Sequence, residues 1–351
     1  MNEIVNSPPN AGDSARTPVS RAETTPTQTV PFAVIVAGPT ASGKSALALA
    51  LAERLNNVNG LDPVIINADA MQCYRDLRIL TARPTPDDEA RVSHALYGVR
   101  AADEPGSVAW WRDAALGVMA EAHASGRLPI LTGGTGLYFS SLTEGLAAIP
   151  DPGPGAREEA RRLLKEIGPV ALYARLVVAD PDTAARLRSG DSQRVARAWE
   201  VWRGTGQGLV AWQSRAAEPA PWRFWAVRLD PPRGELRAAI ATRLAAMLRG
   251  GAIEEVRALL ALDLDPALPL MRAHGVPELS AHLRGEITLE EAARRIELVT
   301  GRYTKRQATW FRHHVLAAPR RVHTIHARIG DVEQFSERNS PEFWEFIKSM
   351  G

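Results

Sequence analysis

An eight-residue phosphate-binding loop, Gly38-Pro-Thr-Ala-Ser-Gly-Lys-Ser45, restricts the fold of this chain more than any other part of its sequence. An apolar run, residues 32–37, precedes the loop, and an alanine- and leucine-rich stretch, residues 46–55, follows it. A strand, this loop and a helix in that order form the context in which the motif binds phosphate. The motif therefore predicts a diphosphate or triphosphate ligand, but it does not identify the molecule that carries the phosphates.

The loop also predicts how that ligand is held. Its backbone N–H groups and the N-terminus of the following helix would surround the phosphate oxygens. Lys44 would neutralise the terminal phosphates, and the Ser45 hydroxyl would hold Mg²⁺, the expected cofactor. The expected diphosphate-binding residues are Gly38, Pro39, Thr40, Ala41, Ser42, Gly43, Lys44 and Ser45.

Apolar runs that alternate with helical segments predict the rest of the core. After the first run, the stretches 63–66 and 128–131 are the next expected strands, with a helix around 108–125 between them. This alternation predicts an α/β fold, a P-loop NTPase-like parallel sheet flanked by helices, with a mainly helical insertion domain. Ligands bind at the carboxyl ends of such strands. The loop, Asp69 and the turn at 132–136 should therefore line one cleft.

Composition predicts the boundaries of the segments. Residues 1–30 are rich in Pro, Ser, Thr and Asn and lack an apolar signal sequence, which predicts a disordered tail. A Pro- and Gly-rich break at residues 149–155 is a predicted linker near the start of the predicted insertion. We assign residues 31–142 and 222–320 to the P-loop core with its C-terminal helices, residues 143–221 to the insertion, and residues 321–351 to a C-terminal tail. No stretch approaches the ~18 consecutive apolar residues of a membrane span.

Charge and cysteine content limit the partners and the kinds of site that the sequence predicts. The formal net charge is only +2, so the whole chain gives no argument for a nucleic-acid partner. Residues 301–321, however, contain six Arg or Lys and no acidic residue. Such a stripe is either a phosphate-backbone contact or a solvated helix face. The single cysteine, Cys73, excludes an intrachain disulfide and a cysteine-based zinc site. We expect a cytoplasmic monomer.

Two charged residues stand out by position. Asp69 follows the second strand, where it could bind Mg²⁺, act as a general base or cap a turn. Arg243 falls inside the apolar stripe of a helix expected at 235–249, beside Leu236 and Leu244. A cation on an apolar face needs an anionic partner, which a diphosphate would supply. A snorkelling side chain and a buried ion pair are the alternatives.

The last long helix separates a basic side from an apolar side. Leu289, Ala293, Ile296, Tyr303 and Trp310 are expected on the apolar side, and Arg302, Lys305, Thr309 and Arg312 on the other. This basic ridge suits a nucleic-acid backbone. The third strand ends in Thr132 without the carboxylate that ATPases place there, which argues against ATP hydrolysis.

Ordered motifs between about residues 33 and 314 resemble the bacterial tRNA dimethylallyltransferases, also called isopentenyltransferases. They are the phosphate-binding loop, Asn67-Ala-Asp-Ala-Met-Gln-Cys-Tyr-Arg75, Leu80-Thr-Ala-Arg-Pro84, Gly126-Arg-Leu-Pro-Ile-Leu-Thr-Gly-Gly-Thr-Gly-Leu-Tyr-Phe139, Asp191-Ser-Gln-Arg-Val-Ala-Arg-Ala-Trp-Glu200, Gly285-Glu-Ile-Thr288 and Lys305-Arg-Gln-Ala-Thr-Trp-Phe-Arg312. The loop alone is common, whereas this ordered set is specific to the family.

The resemblance implies a reaction. A dimethylallyl group would pass from dimethylallyl diphosphate to the exocyclic amine of the adenosine 3′ to the anticodon, in tRNAs that read codons beginning with U. Asp69 matches the family's catalytic aspartate. Lys44, Arg243 and Mg²⁺ would stabilise the leaving diphosphate. The target base would be flipped out of the anticodon loop into a pocket.

The resemblance also implies contacts with the anticodon stem-loop of tRNA, and two positions depart from the pattern. Many relatives have Ser where this chain has Ala70, and Pro277 carries no positive charge. The implied tRNA-binding residues are Asp69, Ala70, Met71, Gln72, Thr135, Gln193, Arg194, Val195, Ala196, Arg197, Arg272, Ala273, His274, Gly275, Lys305, Arg306 and Arg312.

Two other functions are compatible with parts of the sequence. A small-molecule P-loop kinase would explain residues 38–45 and the α/β core, but it leaves the basic ridge and the insertion without roles. An RNA-binding module with an inactive loop would explain the ridge, but it leaves Lys44 and Ser45 without roles.

Overall fold

The computed structural model describes residues 30–59, 62–330 and 341–350. The described residues from Pro31 onward form one compact unit. The predicted N-terminal tail lies outside the described residues, apart from Val30. In the described part of the chain, no helix is long and apolar enough to cross a membrane.

A six-stranded parallel sheet forms the centre of the molecule, as predicted. Its strands are β1 (Phe32–Ala37), β2 (Pro63–Asn67), β3 (Ser93–Ala95), β4 (Leu128–Gly133), β5 (Arg223–Leu229) and β6 (Val322–Ile325). The strand order is β3-β2-β4-β1-β5-β6, and every neighbouring pair is parallel. Because β2, β4 and β1 are adjacent, their carboxyl ends lie side by side at one edge of the sheet.

Helices cover both faces of the sheet and extend beyond it. They are α1 (Lys44–Asn59), α2 (Pro86–Arg91), α3 (Val108–Ala124), α4 (Gly136–Thr143), α5 (Gly153–Ala179), α6 (Pro181–Ala184), α7 (Ser192–Thr205), α8 (Leu209–Gln213), α9 (Arg233–Arg249), α10 (Ala252–Leu260), α11 (Val276–Leu283), α12 (Leu289–His313) and α13 (Pro341–Lys348). Gly168, with φ 75°, and the following Pro169 break α5 into two helical segments.

The alternation of side chains along the central strand divides the core in two. On β1, Ile35 packs toward Trp111 of α3, while Val34 and Val36 pack toward Leu47 of α1. All of these side chains are fully buried. Two-sided burial explains why the central strands are nearly continuous apolar runs.

Two further apolar clusters form away from the sheet. One joins α9 to α12 with the segment after β2, through residues such as Leu77, Leu244 and Ile296. The other holds α5 to α8 together around Leu172, Leu176 and Val195. The helices of the predicted insertion thus have an apolar cluster of their own.

The residues assigned to a C-terminal tail contain a strand and a helix. Strand β6 pairs with β5 at the edge of the sheet. Beyond it, the backbone N–H of Ile329 donates to the carbonyl oxygen of Ser42 in the phosphate-binding loop at 3.0 Å. Phe343 and Ile347 of α13 join the core cluster that contains α1.

Candidate active site

The phosphate-binding loop connects β1 to α1 with two residues in the left-handed backbone region. These are Ala41, with φ 67°, and Gly43, with φ 91°. A side chain at Gly43 would also collide with the backbone, because a Cβ there would lie 1.9 Å from the carbonyl oxygen of Ile329. Glycine is therefore required at this position by both conformation and space.

A carboxamide from α12 fixes the loop to the neighbouring turn. The backbone N–H of Thr40 donates to Oε1 of Gln307 at 2.8 Å, and Nε2 of Gln307 donates to the carbonyl oxygen of Gly134 at 2.8 Å. Gln307 is 5% exposed. It lies within the motif at 305–312, but we did not predict its contact with the loop, because the sequence does not show which helix face meets the loop.

Asp69 is held where β2 ends. Its backbone N–H donates to Oδ1 of Asn67 at 2.8 Å, and its own Oδ1 accepts the N–H of Met71 at 3.1 Å. The carboxylate thus closes a turn just before a short 3-10 helix, Met71–Cys73, and capping of a turn was one of the alternatives predicted. Among the described residues, the other carboxylate oxygen has no hydrogen bond, so the turn leaves it available for chemistry.

Two cations, Lys44 and Arg243, are attracted electrostatically to Asp69. Burial lowers the pKa of the Lys44 ammonium to about 8, because desolvation outweighs the attraction of Asp69. Burial also lowers the pKa of the Arg243 guanidinium, again against the pull of Asp69. Arg243 lies on the same helix as the buried Leu236, Ile240, Leu244 and Met247, as predicted. Both cations are costly to bury without an anion.

A cavity of about 550 Å³ opens beside these groups. It contains Asp69, Arg243 and Thr40 together with Gln193, which comes from the first turn of α7. Most of the other lining residues are apolar or come from the loop before α11: Met71, Leu80, Thr81, Ile240, Leu244, Met247, Ala267, Pro269, Arg272, Ala273, His274, Ile296, Thr300 and Tyr303. The structure therefore brings the expected base, Asp69, and the expected catalytic cation, Arg243, to one pocket. The same pocket contains five expected RNA contacts, Met71, Gln193, Arg272, Ala273 and His274.

Two aromatic rings form part of the cavity wall. His274 and Tyr303 meet edge to face, with ring centroids 4.8 Å apart. Burial lowers the pKa of His274, so its neutral form is favoured, and raises the pKa of Tyr303 to about 12. Neutral rings of this kind suit contact with a flat base.

Several expected RNA contacts serve the local fold. Oγ1 of Thr135 accepts the backbone N–H of Ala70 at 3.0 Å. The side-chain amide of Gln72 donates to the carbonyl oxygens of Thr81 and Ala82 at 2.9 and 3.1 Å. Gly275 has φ 101° and begins α11. These residues therefore hold the backbone next to cavity-lining residues such as Met71, Thr81 and His274.

On α7 the expected RNA contacts point in different directions. Arg194 and Arg197 are exposed and form ion pairs with Asp191 and Glu200 at 3.6 and 3.2 Å. Val195 and Ala196 are buried, and Val195 belongs to the cluster within the insertion. Their side chains therefore position α7, while the arginines stay at the surface.

The basic ridge on α12 is exposed, but the buried face of the helix is shifted from the expected one. Arg302, Lys305, Thr309 and Arg312 are all exposed, as is Arg306. Arg312 is ion-paired with Asp230 at 2.8 Å, and this hydrogen-bonded pair lowers the pKa of Asp230. Tyr303 and Trp310 are only partly buried. Ile296 is buried as expected, and the other buried residues are Ala292, Thr300, Thr304, Gln307 and Phe311.

The residues around the loop fit Mg²⁺. Ser45 is exposed and shares a cavity of about 260 Å³ with Thr132, whose buried hydroxyl has no hydrogen-bond partner among the described residues. Within residues 30–59, 62–330 and 341–350, no group of three or more His, Cys, Asp or Glu could hold a metal alone. Mg²⁺ needs only one or two protein oxygens when substrate phosphates and water complete its shell.

Cys73 is not a nucleophile in this environment. Its side chain is 1% exposed, and burial raises the pKa of the thiol to about 12. The thiolate would be needed for nucleophilic attack. Cys73 is thus a small buried residue of the core.

The chain matches a family model and close relatives along most of its length. The model described as IPP transferase matches residues 72–314, more than half of the chain, and a Zeta toxin model matches residues 17–94, which include the loop. The tRNA dimethylallyltransferase of Granulibacter bethesdensis is 59% identical over 319 residues, which are 91% of this chain and 98% of the relative. That of Gluconacetobacter diazotrophicus is 60% identical over 315 residues, 90% of this chain and 93% of the relative.

Solved structures have the same fold. The full-length tRNA isopentenylpyrophosphate transferase of Bacillus halodurans is 29% identical, with a TM-score of 0.62, over 92% of this chain and 96% of that chain. A eukaryotic dimethylallyltransferase acting on tRNA has a TM-score of 0.72 and 22% identity, over 91% of this chain and 80% of that chain. At that identity the second likeness concerns the fold alone.

Proposed function

Because this chain belongs to the IPP transferase family, we propose that it transfers a dimethylallyl group from dimethylallyl diphosphate to N6 of the adenosine 3′ to the anticodon, releasing diphosphate. As a member of that family it is a tRNA prenyltransferase. The finer parts of the proposal are the donor, the nucleotide, a preference for tRNAs that read U-initial codons, and action as a cytoplasmic monomer with Mg²⁺.

One observation carries the proposal: Asp69 and Arg243 line the same cavity as Gln193 and His274. Asp69 could accept a proton and Arg243 could stabilise a leaving anion. Gln193 and His274 come from regions that are expected to contact RNA. A kinase needs no such combination with a helical insertion.

The two substrates would meet in this cavity. The loop would hold the diphosphate through its backbone N–H groups and Lys44. The apolar wall, which includes Leu80, Leu244 and Ile296, suits the dimethylallyl carbons and excludes water from the reacting centre. The adenine, extruded from the anticodon loop, would enter from the side of His274 and Gln193.

The reaction then proceeds by displacement. N6 of adenosine forms a bond to C1 of the dimethylallyl group while the bond from C1 to the diphosphate oxygen breaks, and the diphosphate leaves with the electron pair. The proton on N6 passes to the carboxylate of Asp69, which its hydrogen bond to Met71 keeps in place. Lys44 and Arg243 stabilise the charge that develops on the leaving group. Mg²⁺, held through Ser45 and the diphosphate, would supply further charge stabilisation.

Mass spectrometry of an unmodified U-reading tRNA, incubated with the protein, Mg²⁺ and dimethylallyl diphosphate, tests the proposal. The expected result is a mass gain of one dimethylallyl group on the adenosine beside the anticodon. Asp69→Asn should abolish the gain, and an Asp69→Asn variant with full activity would contradict the role of Asp69. No gain together with ATP hydrolysis would favour the kinase.

A further inference from the structure

The segment after β6 lies directly on the phosphate-binding loop. The backbone N–H of Ile329 donates to Ser42 at 3.0 Å, and the Ile329 carbonyl fills the space beside Gly43. The Ile329 side chain is 4% exposed and packs in the core cluster that contains α1. The residue before it is therefore held at a fixed place beside the loop.

That residue, Arg328, is anchored at two points. Its backbone N–H donates to the carboxylate of Glu235 at 3.1 Å, and its Nε donates to the carbonyl oxygen of Ala41 at 3.2 Å. Within the described residues its two terminal guanidinium nitrogens have no hydrogen-bond acceptor, and the side chain has no carboxylate partner. Arg328 thus brings a guanidinium that has no carboxylate partner among the described residues to the edge of the loop.

Arg328 also faces another cation. Apart from burial and the charge of Asp69, the charge of Arg328 acts on Arg243 and lowers its pKa. In the described part of the chain, Arg243 has no carboxylate within ion-pair distance. Lys44 lies in the field of Arg243 as well. Lys44 and Arg243 therefore share one carboxylate, Asp69, and Arg328 adds a third cation beside Arg243. The carboxylate of Glu235 already accepts the backbone N–H of Arg328. Like charges repel, so a polyanion bound among these cations would relieve their repulsion.

We propose that Arg328 is a diphosphate-binding residue, which acts with Arg243 and Lys44 on the phosphates held by the loop. This rests on the proposed function for the identity of the ligand. A guanidinium offers several N–H donors in a planar fork, so Nε can hold Ala41 while the terminal nitrogens bind phosphate oxygens. The C-terminal segment would thereby complete the diphosphate site. It lies beyond the residues that the family model matches.

Binding of inorganic pyrophosphate with Mg²⁺, measured by calorimetry, tests this assignment without requiring catalysis. Arg328→Ala should weaken binding about tenfold or more, as expected for a lost charge-assisted hydrogen bond. Arg328→Lys should restore part of the affinity. Arg320→Ala, which removes an exposed cation from the same end of the chain, should bind like the wild type.

Arg328→Gln separates charge from support of the loop, because its amide can still donate to Ala41 but carries no charge. We expect it to resemble Arg328→Ala in pyrophosphate affinity and in kcat/KM for dimethylallyl diphosphate, with unchanged tRNA affinity. Wild-type affinity in Arg328→Gln, or equal affinities in Arg328→Ala and the wild type, would overturn the assignment. Prenyl transfer by the wild type is measured separately. Its absence would refute the proposed function, but the comparison of pyrophosphate affinities would still test the role of Arg328.

Discussion

Gln307 and Thr40 are 267 positions apart in the sequence, yet Oε1 of Gln307 accepts the Thr40 backbone N–H at 2.8 Å. The same carboxamide donates to Gly134. The helix with the basic ridge is thus bonded to both the loop from β1 and the turn after β4. Through this side chain, the packing of α12 contributes to the position of the phosphate-binding loop.

Gln307→Ala should loosen the loop. The two backbone groups would lose their partner in a buried place, which costs about 1–3 kcal/mol for each unsatisfied group. We expect a lower melting temperature and a several-fold higher KM for dimethylallyl diphosphate. Thr309→Ala, an exposed position on the same helix, is the matched control. An unchanged KM in Gln307→Ala would show that the loop holds its shape without the carboxamide.

Lys44→Met should separate stability from activity. The Lys44 ammonium has its pKa lowered by burial from 10.5 to about 8, so folding disfavours the charged form. This penalty is about 3 kcal/mol below pH 8 and fades as the pH rises toward 10.5. Methionine has no charge to bury. In the absence of ligand at pH 7 we expect chemical denaturation to show Lys44→Met at least as stable as the wild type, while prenyl transfer is lost.

A marked loss of stability in Lys44→Met would contradict this account. It would mean that the attraction between Lys44 and Asp69 exceeds the cost of burial. The double variant Lys44→Met, Asp69→Asn would then distinguish loss of that pair from simple misfolding of the loop.

The affinity for dimethylallyl diphosphate should fall above pH 8. Below the pKa of about 8, Lys44 carries the charge that attracts the phosphates. Above that pH the empty site is neutral at Lys44, so binding must recruit a proton and weakens by up to about tenfold per pH unit. Titrations between pH 7 and 9.5 check this. Residual binding to Lys44→Met should not show the fall, and a fall of equal steepness in that variant would assign it to another group.

The sequence predicted those parts of the fold in which local pattern and burial agree. Strands β1, β2 and β4 are apolar runs buried between helices, so they were predicted to within two residues. Strand β3 was missed because it is only three residues long and includes Ser93 and His94. Strand β6, with the sequence Val-His-Thr-Ile, is partly exposed at the edge of the sheet and lacks a strong apolar signal.

The residues of the candidate site also divide into those that the sequence predicted and those that it did not. Asp69 and Arg243 were predicted because each breaks a local pattern, one after a strand and the other on an apolar helix face. Gln307 and Arg328 were not predicted, because their partners Thr40 and Ala41 lie far away in the sequence. The buried face of α12 differs from the predicted one because it includes two polar residues, Thr300 and Thr304. Oγ1 of Thr304 donates to the carbonyl oxygen of Thr300 at 2.8 Å, which satisfies that hydroxyl inside the fold.

Ion pairing should rank the basic residues of α12 by their contribution to tRNA affinity. Lys305 is exposed and has no ion pair among the described residues, so its charge is available to the RNA backbone. Arg312 is tied to Asp230, and a contact with phosphate must compete with that carboxylate. We therefore expect Lys305→Ala to weaken tRNA binding several-fold and to reduce the salt dependence of log K by about one. Arg312→Ala should have a smaller effect on both.

Filter-binding or fluorescence titrations at several salt concentrations measure both quantities. Arg295→Ala is the control, because Arg295 lies on the same helix but is paired with Glu291 at 2.6 Å. Asp230→Asn adds a test in the opposite direction: it frees the Arg312 guanidinium and should strengthen tRNA binding at low salt. If Arg312→Ala weakened binding as much as Lys305→Ala, the Asp230 pair would have to open on contact with RNA, and Asp230→Asn would then raise the affinity most. If neither substitution changed the salt dependence, the ridge would be a solvated helix face and the RNA would have to approach the cavity from the side of α7.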